Sequence, residues 1–180
     1  MNTFLGKVWF QTKPTLFFEG INEMNVLDIG CGCRPRGDVN VDLYVGKTIH
    51  RTRLQEINPK QIRNFVKADS LHLPFKTNSF DNVVSYHVIE HVDNPTLFLK
   101  ECVRVVKKQV VIVCPHAWAR GKLFRRNMAH KSYFRCRWFI QSLKQFYMEV
   151  KRIDKPLFGI PFLPNWFSEI QVTIYIKKGD

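Results

Sequence analysis

Apolar and polar positions along this chain follow two spacings, which predict strands and helices in alternation. Short apolar runs rich in valine and isoleucine predict strands at residues 25–29, 39–43, 64–68, 81–85 and 110–114. The last run is continuous and β-branched, which is typical of a parallel strand buried on both faces. Strands that alternate with helices indicate an α/β fold with a largely parallel sheet.

The helical spacing appears twice in the second half of the chain. Asn94-Pro95 supplies a cap residue and a first-position proline, and Phe98, Cys102 and Val105 then form one apolar face. A second helix is predicted over residues 135–148, with an apolar face made of Phe139, Leu143, Phe146 and Tyr147. A sixth strand is expected to start at residues 150–153, and a final strand is expected over residues 169–177.

The connection between the first two strands is too short for a helix. The first strand ends in Asp28-Ile29-Gly30-Cys31-Gly32, and only residues 33–38 separate this turn from the second strand. A crossover helix needs a dozen residues or more, so a loop or single turn is predicted there. The next connection, residues 47–63, is long enough for a helix that starts near Asn58-Pro59.

Length and composition indicate one globular domain over residues 1–180. Hydrophobic residues make up 45% of the chain, and no apolar run reaches the roughly eighteen residues of a membrane span. The aromatic segment 1–24 has neither the apolar core nor the cleavage site of a signal peptide. Five cysteines, an odd number, suggest reduced thiols and a cytoplasmic location. Cys31 and Cys33 lack zinc spacing, so no metal site is predicted.

Positive charge is concentrated in one part of the chain. Residues 100–152 hold 14 of the 28 Lys and Arg residues but only 2 of the 15 Asp and Glu residues. Much of the excess lies in the basic insertion 115–135, where aromatic residues separate the cations. A basic face of this kind suggests a polyanionic partner, either nucleic acid or an anionic membrane surface, although a basic surface is often only solvated.

Five motifs occur together in order along the chain. They are Val-Leu-Asp-Ile-Gly-Cys-Gly at 26–32, Asn-Val-Asp-Leu at 40–43, Ala-Asp-Ser-Leu-His-Leu-Pro-Phe at 68–75, Asn-Ser-Phe-Asp at 78–81 and His-Val-Ile-Glu-His-Val at 87–92. This set resembles class I S-adenosylmethionine-dependent methyltransferases, and in particular a compact subgroup with a shortened first crossover. The resemblance covers roughly residues 25–115. It implies a Rossmann-like, doubly wound, mostly parallel sheet of six or seven strands with an abbreviated first helix.

The resemblance also implies a role for each motif in binding S-adenosylmethionine. The loop Gly30-Cys31-Gly32 would pass under the methionine part, and Asp28 would hold that loop and approach the amino group. Asp42, followed by Leu43, would accept hydrogen bonds from the ribose hydroxyls, as a carboxylate with two oxygens can. Asp69 would accept from the adenine amine, beside the backbone of Ser70 and Leu71. Ser85, Tyr86 and His87 would close the methionine end.

The methyl acceptor is less constrained by these motifs. His87 is the candidate general base, should the acceptor have to lose a proton. The candidate acceptor-binding residues are cationic or imidazole side chains: Arg34, His116, Arg120, Arg125, Arg126 and His130. Three hypotheses stay open: an RNA methyltransferase acting on tRNA-like structures, a methyltransferase of a small molecule or of a lipid or quinone headgroup, and a non-catalytic protein that binds the cofactor and a partner. The oligomeric state is open.

Overall fold

A single seven-stranded sheet organises the structure. The computed structural model describes residues 25–46, 57–117, 130–155 and 167–176. Its elements are, in chain order, β1 Val26–Ile29, β2 Val39–Asp42, a 3-10 turn at Pro59–Gln61, β3 Phe65–Lys67, β4 Phe80–Tyr86, α1 Pro95–Val105, β5 Val106–Pro115, α2 Cys136–Ser142, β6 Tyr147–Lys155 and β7 Phe167–Tyr175.

The strand order β3-β2-β1-β4-β5-β7-β6 confirms the predicted Rossmann-like, mostly parallel sheet. β1 pairs in parallel with both β2 and β4, and β4 pairs in parallel with β5. Among the described strands, β7 alone is antiparallel to the common direction, since it pairs antiparallel with β5 and with β6. The order of strands along the chain reverses between β1 and β4, and ligands bind at such a switch point in open α/β sheets.

The core lies where α1 packs on β4 and β5. The side chain of Asn94 accepts a hydrogen bond from the backbone of Leu97, and Pro95 occupies the first turn, as the sequence predicts. Phe98 and Cys102 are fully buried against the sheet. Burying a phenylalanine of this kind stabilises the fold by about 1.5–3 kcal/mol.

The predicted length of the second helix is wrong. α2 ends at Ser142, and Tyr147 instead opens β6 opposite Tyr175 of β7. The backbone N–H of Phe146 donates to the carbonyl of Leu143, in the turn between the two elements. Aromatic and β-branched residues suit a strand, and pairing with β7 over nine positions outweighs a helical spacing that is only local.

The abbreviated first crossover is confirmed, and Asn40 supports it. No helix lies in residues 30–38, and the buried Asn40 side chain accepts from the backbone of Gly37 at 3.1 Å and donates to its carbonyl at 2.9 Å. A Cβ atom on Gly37 would lie 2.6 Å from the Val39 carbonyl oxygen and 2.7 Å from the Asp28 nitrogen. The chain can therefore return to the sheet this quickly only because residue 37 has no side chain.

Two sequence features fall largely outside the described residues. These are the aromatic segment 1–24 and residues 118–129 of the basic insertion. The helix expected after Asn58-Pro59 is a single 3-10 turn at Pro59–Gln61, and the described part of that connection begins at residue 57. Within the described ranges, none of the helices has both the length and the apolar character to cross a bilayer.

An ion pair on α1 holds the segment that follows β3. Arg104 contacts both carboxylate oxygens of Glu101 at 2.7 Å and donates to the carbonyls of Leu73 and Phe75. Glu101 accepts a further hydrogen bond from the backbone of Leu73 at 2.8 Å. Hydrogen bonding to Arg104 outweighs burial and lowers the pKa of Glu101 below its usual value.

We expect a Glu101→Gln variant to be less stable at neutral pH and less sensitive to acid. Because the pKa of Glu101 is lower in the folded state, its contribution to the free energy of unfolding is fully present above the unfolded-state pKa near 4.5. That contribution is lost as pH falls through the folded-state pKa. Hydrogen bonds to charged groups are worth about 1.5–3 kcal/mol each, so a loss of this order is expected at pH 7. Urea unfolding from pH 7 down to pH 3 measures it, with the exposed Lys76→Ala as control. Equal acid sensitivity in variant and parent would contradict this account.

Candidate active site

A cavity of about 840 Å³ opens at the carboxyl ends of β1, β2 and β4. This is the switch point of the sheet, and the volume is within the range of about 300–1,000 Å³ that is typical of small-molecule sites. The cavity is lined by residues of four segments, namely 29–36 except Pro35, 41–44, 68–71 and 86–93 except Ile89 and Glu90, together with Lys131.

The turn after β1 forms the floor of this cavity. Gly30 and Gly32 both have positive φ, of 73° and 55°, which side chains rarely adopt. The backbone N–H groups of Gly30 and Cys31 donate to the carbonyl of Val41 at 2.8 and 3.0 Å, so the turn is fastened to β2. A Cβ on Gly30 would collide with Val88, whereas one on Gly32 would meet nothing within 4 Å. Gly30 therefore makes room for protein packing, and Gly32 faces open space.

Asp42 is held in place by backbone donors from both of its sides. Its Oδ2 accepts from the N–H of Gly32 at 3.0 Å, and its Oδ1 accepts from the N–H of Tyr44 at 2.9 Å. The residue lines the cavity although it is 8% exposed. A carboxylate has about four lone-pair positions, so one such group can accept several hydrogen bonds at once. The neighbouring Leu43 also lines the cavity and is exposed.

Asp69 follows β3 on a wall formed with Ser70 and Leu71. Its Oδ1 accepts from the backbone of Leu71 at 2.9 Å, which orients the carboxylate. Its Oδ2 lies 3.9 Å from Nδ1 of the exposed His72. β3 lies next to β2, and the N–H of Ala68 donates to the carbonyl of Asp42, so the two predicted acidic residues lie on adjacent strand ends.

Asp28 and Ser85 lie beneath the cavity and do not line it. Asp28 is fully buried, and its Oδ2 accepts from the backbone of Arg36 at 2.8 Å while its Oδ1 has no hydrogen-bond partner. Burial raises the pKa of Asp28 to about 6, against the lowering effect of the Arg36 hydrogen bond and charge. Ser85 donates its hydroxyl to the carbonyl of Ile29 at 3.1 Å. Both side chains thus hold the turn from below.

Tyr86 and His87 form the wall at the end of β4. The guanidinium of Arg36 lies 4.2 Å from the centre of the Tyr86 ring, in a cation–π contact. His87 has a positive φ of 56°, and its Nδ1 and Nε2 each lie 3.4 Å from a carboxylate, that of Glu90 and that of Glu169 respectively.

The charge state of His87 does not suit the predicted general base. Burial disfavours the charged ring, but the close carboxylates of Glu169 and Glu90 and their charges together raise the pKa of His87 to about 9. At neutral pH the ring therefore carries a proton already. In this arrangement His87 serves as a cation between two carboxylates and does not accept a proton.

The predicted acceptor-binding residues fall into four groups. Arg34 lines the cavity and is exposed. His130 packs against His91, which lines the cavity, with ring centroids 4.7 Å apart. His116 is 9% exposed and its backbone N–H donates to Ser168, so it belongs to the packing of β5 on β7 and not to the cavity lining. Arg120, Arg125 and Arg126 lie outside the described residues.

Several residues of the site had no role predicted from the sequence. Lys131 lines the cavity, and its Nζ lies 2.7 Å from Oδ1 of Asp93 at the rim. Glu90 lies within the motif at 87–92, which could have drawn attention to it as a buried acid. Glu169 reaches His87 only because β7 pairs with β5 and places Glu169 opposite Pro115. The local sequence around Glu169 does not predict this pairing.

The residues on this cavity fit the chemistry of S-adenosylmethionine. The cavity offers the carboxylates of Asp42 and Asp69 to hydroxyl and amine donors, and a glycine turn with open space above Gly32. Below the turn, the Oδ1 of Asp28 is a buried acceptor with no partner. Buried acceptors without a partner are rare in folded proteins, so this atom is suited to a cationic or N–H donor that arrives with a ligand.

Comparison with known proteins points to the same class. Residues 27–114 match the methyltransferase domain family. An uncharacterized protein of Methanocaldococcus jannaschii is 33% identical over 114 residues, which cover 59% of this chain and 48% of that protein. Ajmaline N-methyltransferase of Rauvolfia serpentina is 29% identical over 105 residues, covering 49% of this chain and 34% of that enzyme. Ubiquinone biosynthesis O-methyltransferase of Maricaulis maris is 29% identical over 122 residues, covering 59% and 44%. The aligned region spans less than half the length of each of these relatives.

Solved structures share the fold over most of the chain. A SAM-dependent methyltransferase of Thermotoga maritima superposes with a TM-score of 0.62 and 18% identity, covering 87% of this chain and 84% of that one. A SAM-dependent methyltransferase of Methanosarcina mazei gives a TM-score of 0.55 and 15% identity, covering 87% and 94%. Residues 27–114 therefore belong to the methyltransferase domain family, and the whole sheet has the fold of S-adenosylmethionine-dependent methyltransferases, with a cavity at its switch point.

Proposed function

We propose that this protein transfers a methyl group from S-adenosylmethionine to an acceptor that enters beside Tyr86, His87 and Lys131. The observation that carries the proposal is the pair of oriented carboxylates, Asp42 and Asp69, on the cavity whose floor is the glycine turn. Two acids and a glycine turn suit a nucleoside that carries an amino acid.

Each wall of the cavity has a separate task in this proposal. Asp42 holds the ribose hydroxyls, and Asp69, with the backbone of Ser70 and Leu71, holds the adenine edge. The turn at Gly30-Cys31-Gly32 supports the methionine part, and Asp28 offers its Oδ1 to the amino group. When bound, S-adenosylmethionine supplies an electrophilic methyl group on a sulfonium. The protein's contribution is then to align the acceptor and exclude water, which can supply much of the acceleration.

His87 contributes charge balance near the reacting atoms. Its protonated ring lies between the carboxylates of Glu90 and Glu169, 3.4 Å from each, and offsets part of their charge. An acceptor that must lose a proton would have to give it to water or to a group other than His87, because the pKa of this ring is about 9.

We favour RNA as the acceptor, bound on the basic face. Residues 100–152 hold 14 cationic and 2 acidic residues, and the described part of this region includes the exposed Arg135 and Arg137. Phosphates would bind this face, and the exposed Tyr133 offers a ring on which a base can stack. The cytoplasmic location expected from the cysteines stays a prediction.

A second candidate is a methyltransferase of a small molecule or a quinone headgroup. It is favoured by the names of two relatives, an ajmaline N-methyltransferase and a ubiquinone biosynthesis O-methyltransferase. A cavity of about 840 Å³ has room for a small acceptor beside a cofactor. The third candidate, a non-catalytic protein that binds the cofactor, keeps the same pocket and differs only in that no methyl group is transferred.

The two carboxylates give a direct test of cofactor binding. Asp42→Asn and Asp69→Asn are each expected to weaken binding of S-adenosylhomocysteine about 10- to 100-fold, because a hydrogen bond to a charged group contributes about 1.5–3 kcal/mol. Titration calorimetry measures the affinity. Asp81→Asn is the matched control, since Asp81 starts β4 at the opposite end of the sheet and pairs with Lys108. Parent-like affinity in both site variants would exclude this pocket.

The acceptor class can be read from the destination of a labelled methyl group. Incubation with methyl-labelled cofactor and separated RNA, protein, lipid and metabolite fractions is expected to label RNA, and Asp42→Asn is expected to reduce that label. Label found only in lipid or metabolites would replace RNA with the second candidate. Tight cofactor binding with no label in any fraction would favour the third.

Salt dependence tests the basic face separately. If six or more phosphates are contacted, RNA affinity should fall by about 10³-fold or more between 50 and 200 mM salt. Arg135→Gln combined with Arg137→Gln should weaken RNA binding and flatten this dependence without changing affinity for S-adenosylhomocysteine. Salt-independent RNA binding would show that this face is only solvated.

A further inference from the structure

Glu90 is a buried acid without a hydrogen-bond partner. The residue is 1% exposed, and neither carboxylate oxygen forms a hydrogen bond within the described part of the chain. The Oε1 atom lies 3.4 Å from Nδ1 of His87 and 3.9 Å from Nε2 of His91. Burying a carboxylate is costly unless a cation or several donors compensate it. The imidazolium of His87 offsets part of this cost but is shared with Glu169, so a further cation near Glu90 would stabilise the buried charge.

Two histidines complete a set of three donors around this carboxylate. One ligand atom each from Glu90, His91 and His130 lies within 4.8 Å of the other two. The donors of a tetrahedral ion with bonds of 2.0–2.2 Å lie about 3.4 Å apart, so small rotations of the imidazoles would bring the set to that spacing. Two imidazole nitrogens and one carboxylate oxygen are a common ligand set for Zn²⁺ and related ions.

The backbone holds the two halves of this cluster together. The carbonyl of Glu90 accepts from the N–H of Lys131 at 2.8 Å and from that of Ser132 at 3.1 Å. These bonds fix the segment that carries His130 against the turn that carries Glu90 and His91. The rings of His91 and His130 then meet edge to face, with centroids 4.7 Å apart. The cluster is thus built by main-chain contacts as well as by its side chains.

The cluster lies at the edge of the methyltransferase cavity. His91 lines the cavity, whereas Glu90 is behind it, and Asp93 and Lys131 form the adjacent rim. An ion held here would have three protein ligands, and three protein ligands with an open fourth position are typical of catalytic metal sites.

We propose that Glu90, His91 and His130 bind one divalent metal ion of the Zn²⁺ class at the acceptor side of the cavity. The buried carboxylate that accepts no hydrogen bond and the two converging imidazoles carry this inference, and it does not depend on methyl transfer. The ion would compensate the buried charge of Glu90. It would also offer a Lewis acid to an acceptor oxygen or nitrogen that comes near His91.

Metal binding is tested with the ion alone. The full-length protein is stripped with a chelator and titrated with Zn²⁺ by calorimetry, and with Co²⁺ while its visible absorption is followed. We expect one equivalent to bind, intense Co²⁺ absorption typical of a four-coordinate site, and a rise in melting temperature with metal concentration. Glu90→Gln and His130→Gln should each weaken binding at least about 100-fold, since loss of supporting residues alone costs about 10- to 100-fold.

His72→Gln is the matched control, because His72 is exposed and lies outside the cluster. Its metal affinity and stoichiometry should equal those of the parent. Should Glu90→Gln fail to fold, His130→Gln, at a partly exposed position, gives the same test. The proposal would be overturned if the parent bound no stoichiometric metal, or if the His130 and Glu90 variants bound metal with the affinity of the parent. Calorimetry with S-adenosylhomocysteine on the same stripped protein reports on the methyltransferase pocket independently.

Discussion

The fastening of the turn after β1 to the end of β2 is the constraint on which the site depends. Three successive backbone N–H groups, from Gly30 to Gly32, donate to Val41 and Asp42. This pattern bends the chain sharply at the sheet edge and gives Gly30 and Gly32 positive φ values, which glycine adopts without the strain that a side chain would bring. One carboxylate therefore shapes the turn and lines the cavity at the same time. Any change at Asp42 acts on both, so structure and binding are coupled at this residue.

The site contains buried carboxylates, and a neighbouring cation offsets part of their negative charge. Asp28 and Glu90 each have a carboxylate oxygen without a hydrogen-bond partner beneath or beside the cavity, and burial raises the pKa of Asp28. Glu90 and Glu169 are offset by one shared imidazolium, that of His87. Folding alone does not favour such arrangements, because an acceptor without a partner loses its water and gains nothing. They fit a region that is completed by a bound cation.

Local sequence predicted the half of the molecule that binds the cofactor better than the acceptor side. The strands up to β5, the cap at Asn94-Pro95 and the short first crossover are confirmed, because each depends on residues close together in the chain. The prediction that the second helix reaches residue 148 is wrong, since residues 147 and 148 belong to β6 and pair with β7. Asp42 and Asp69 line the cavity, while Asp28 and Ser85 lie below it and His116 lies away from it.

The sequence by itself determined the fold class, the glycine turn and the acidic residues at the strand ends, because these follow from spacing and residue type over a few positions. Only the tertiary structure decided what surrounds His87 and which groups meet around Glu90. β7 had to pair with β5 to bring Glu169 to one side of His87, and the segment at Lys131 had to bond the carbonyl of Glu90 to bring His130 to the other side of that acid. Contacts between residues far apart in the chain cannot be predicted from the periodicity of the sequence. The charge of a histidine depends on such contacts more than on its neighbours in sequence.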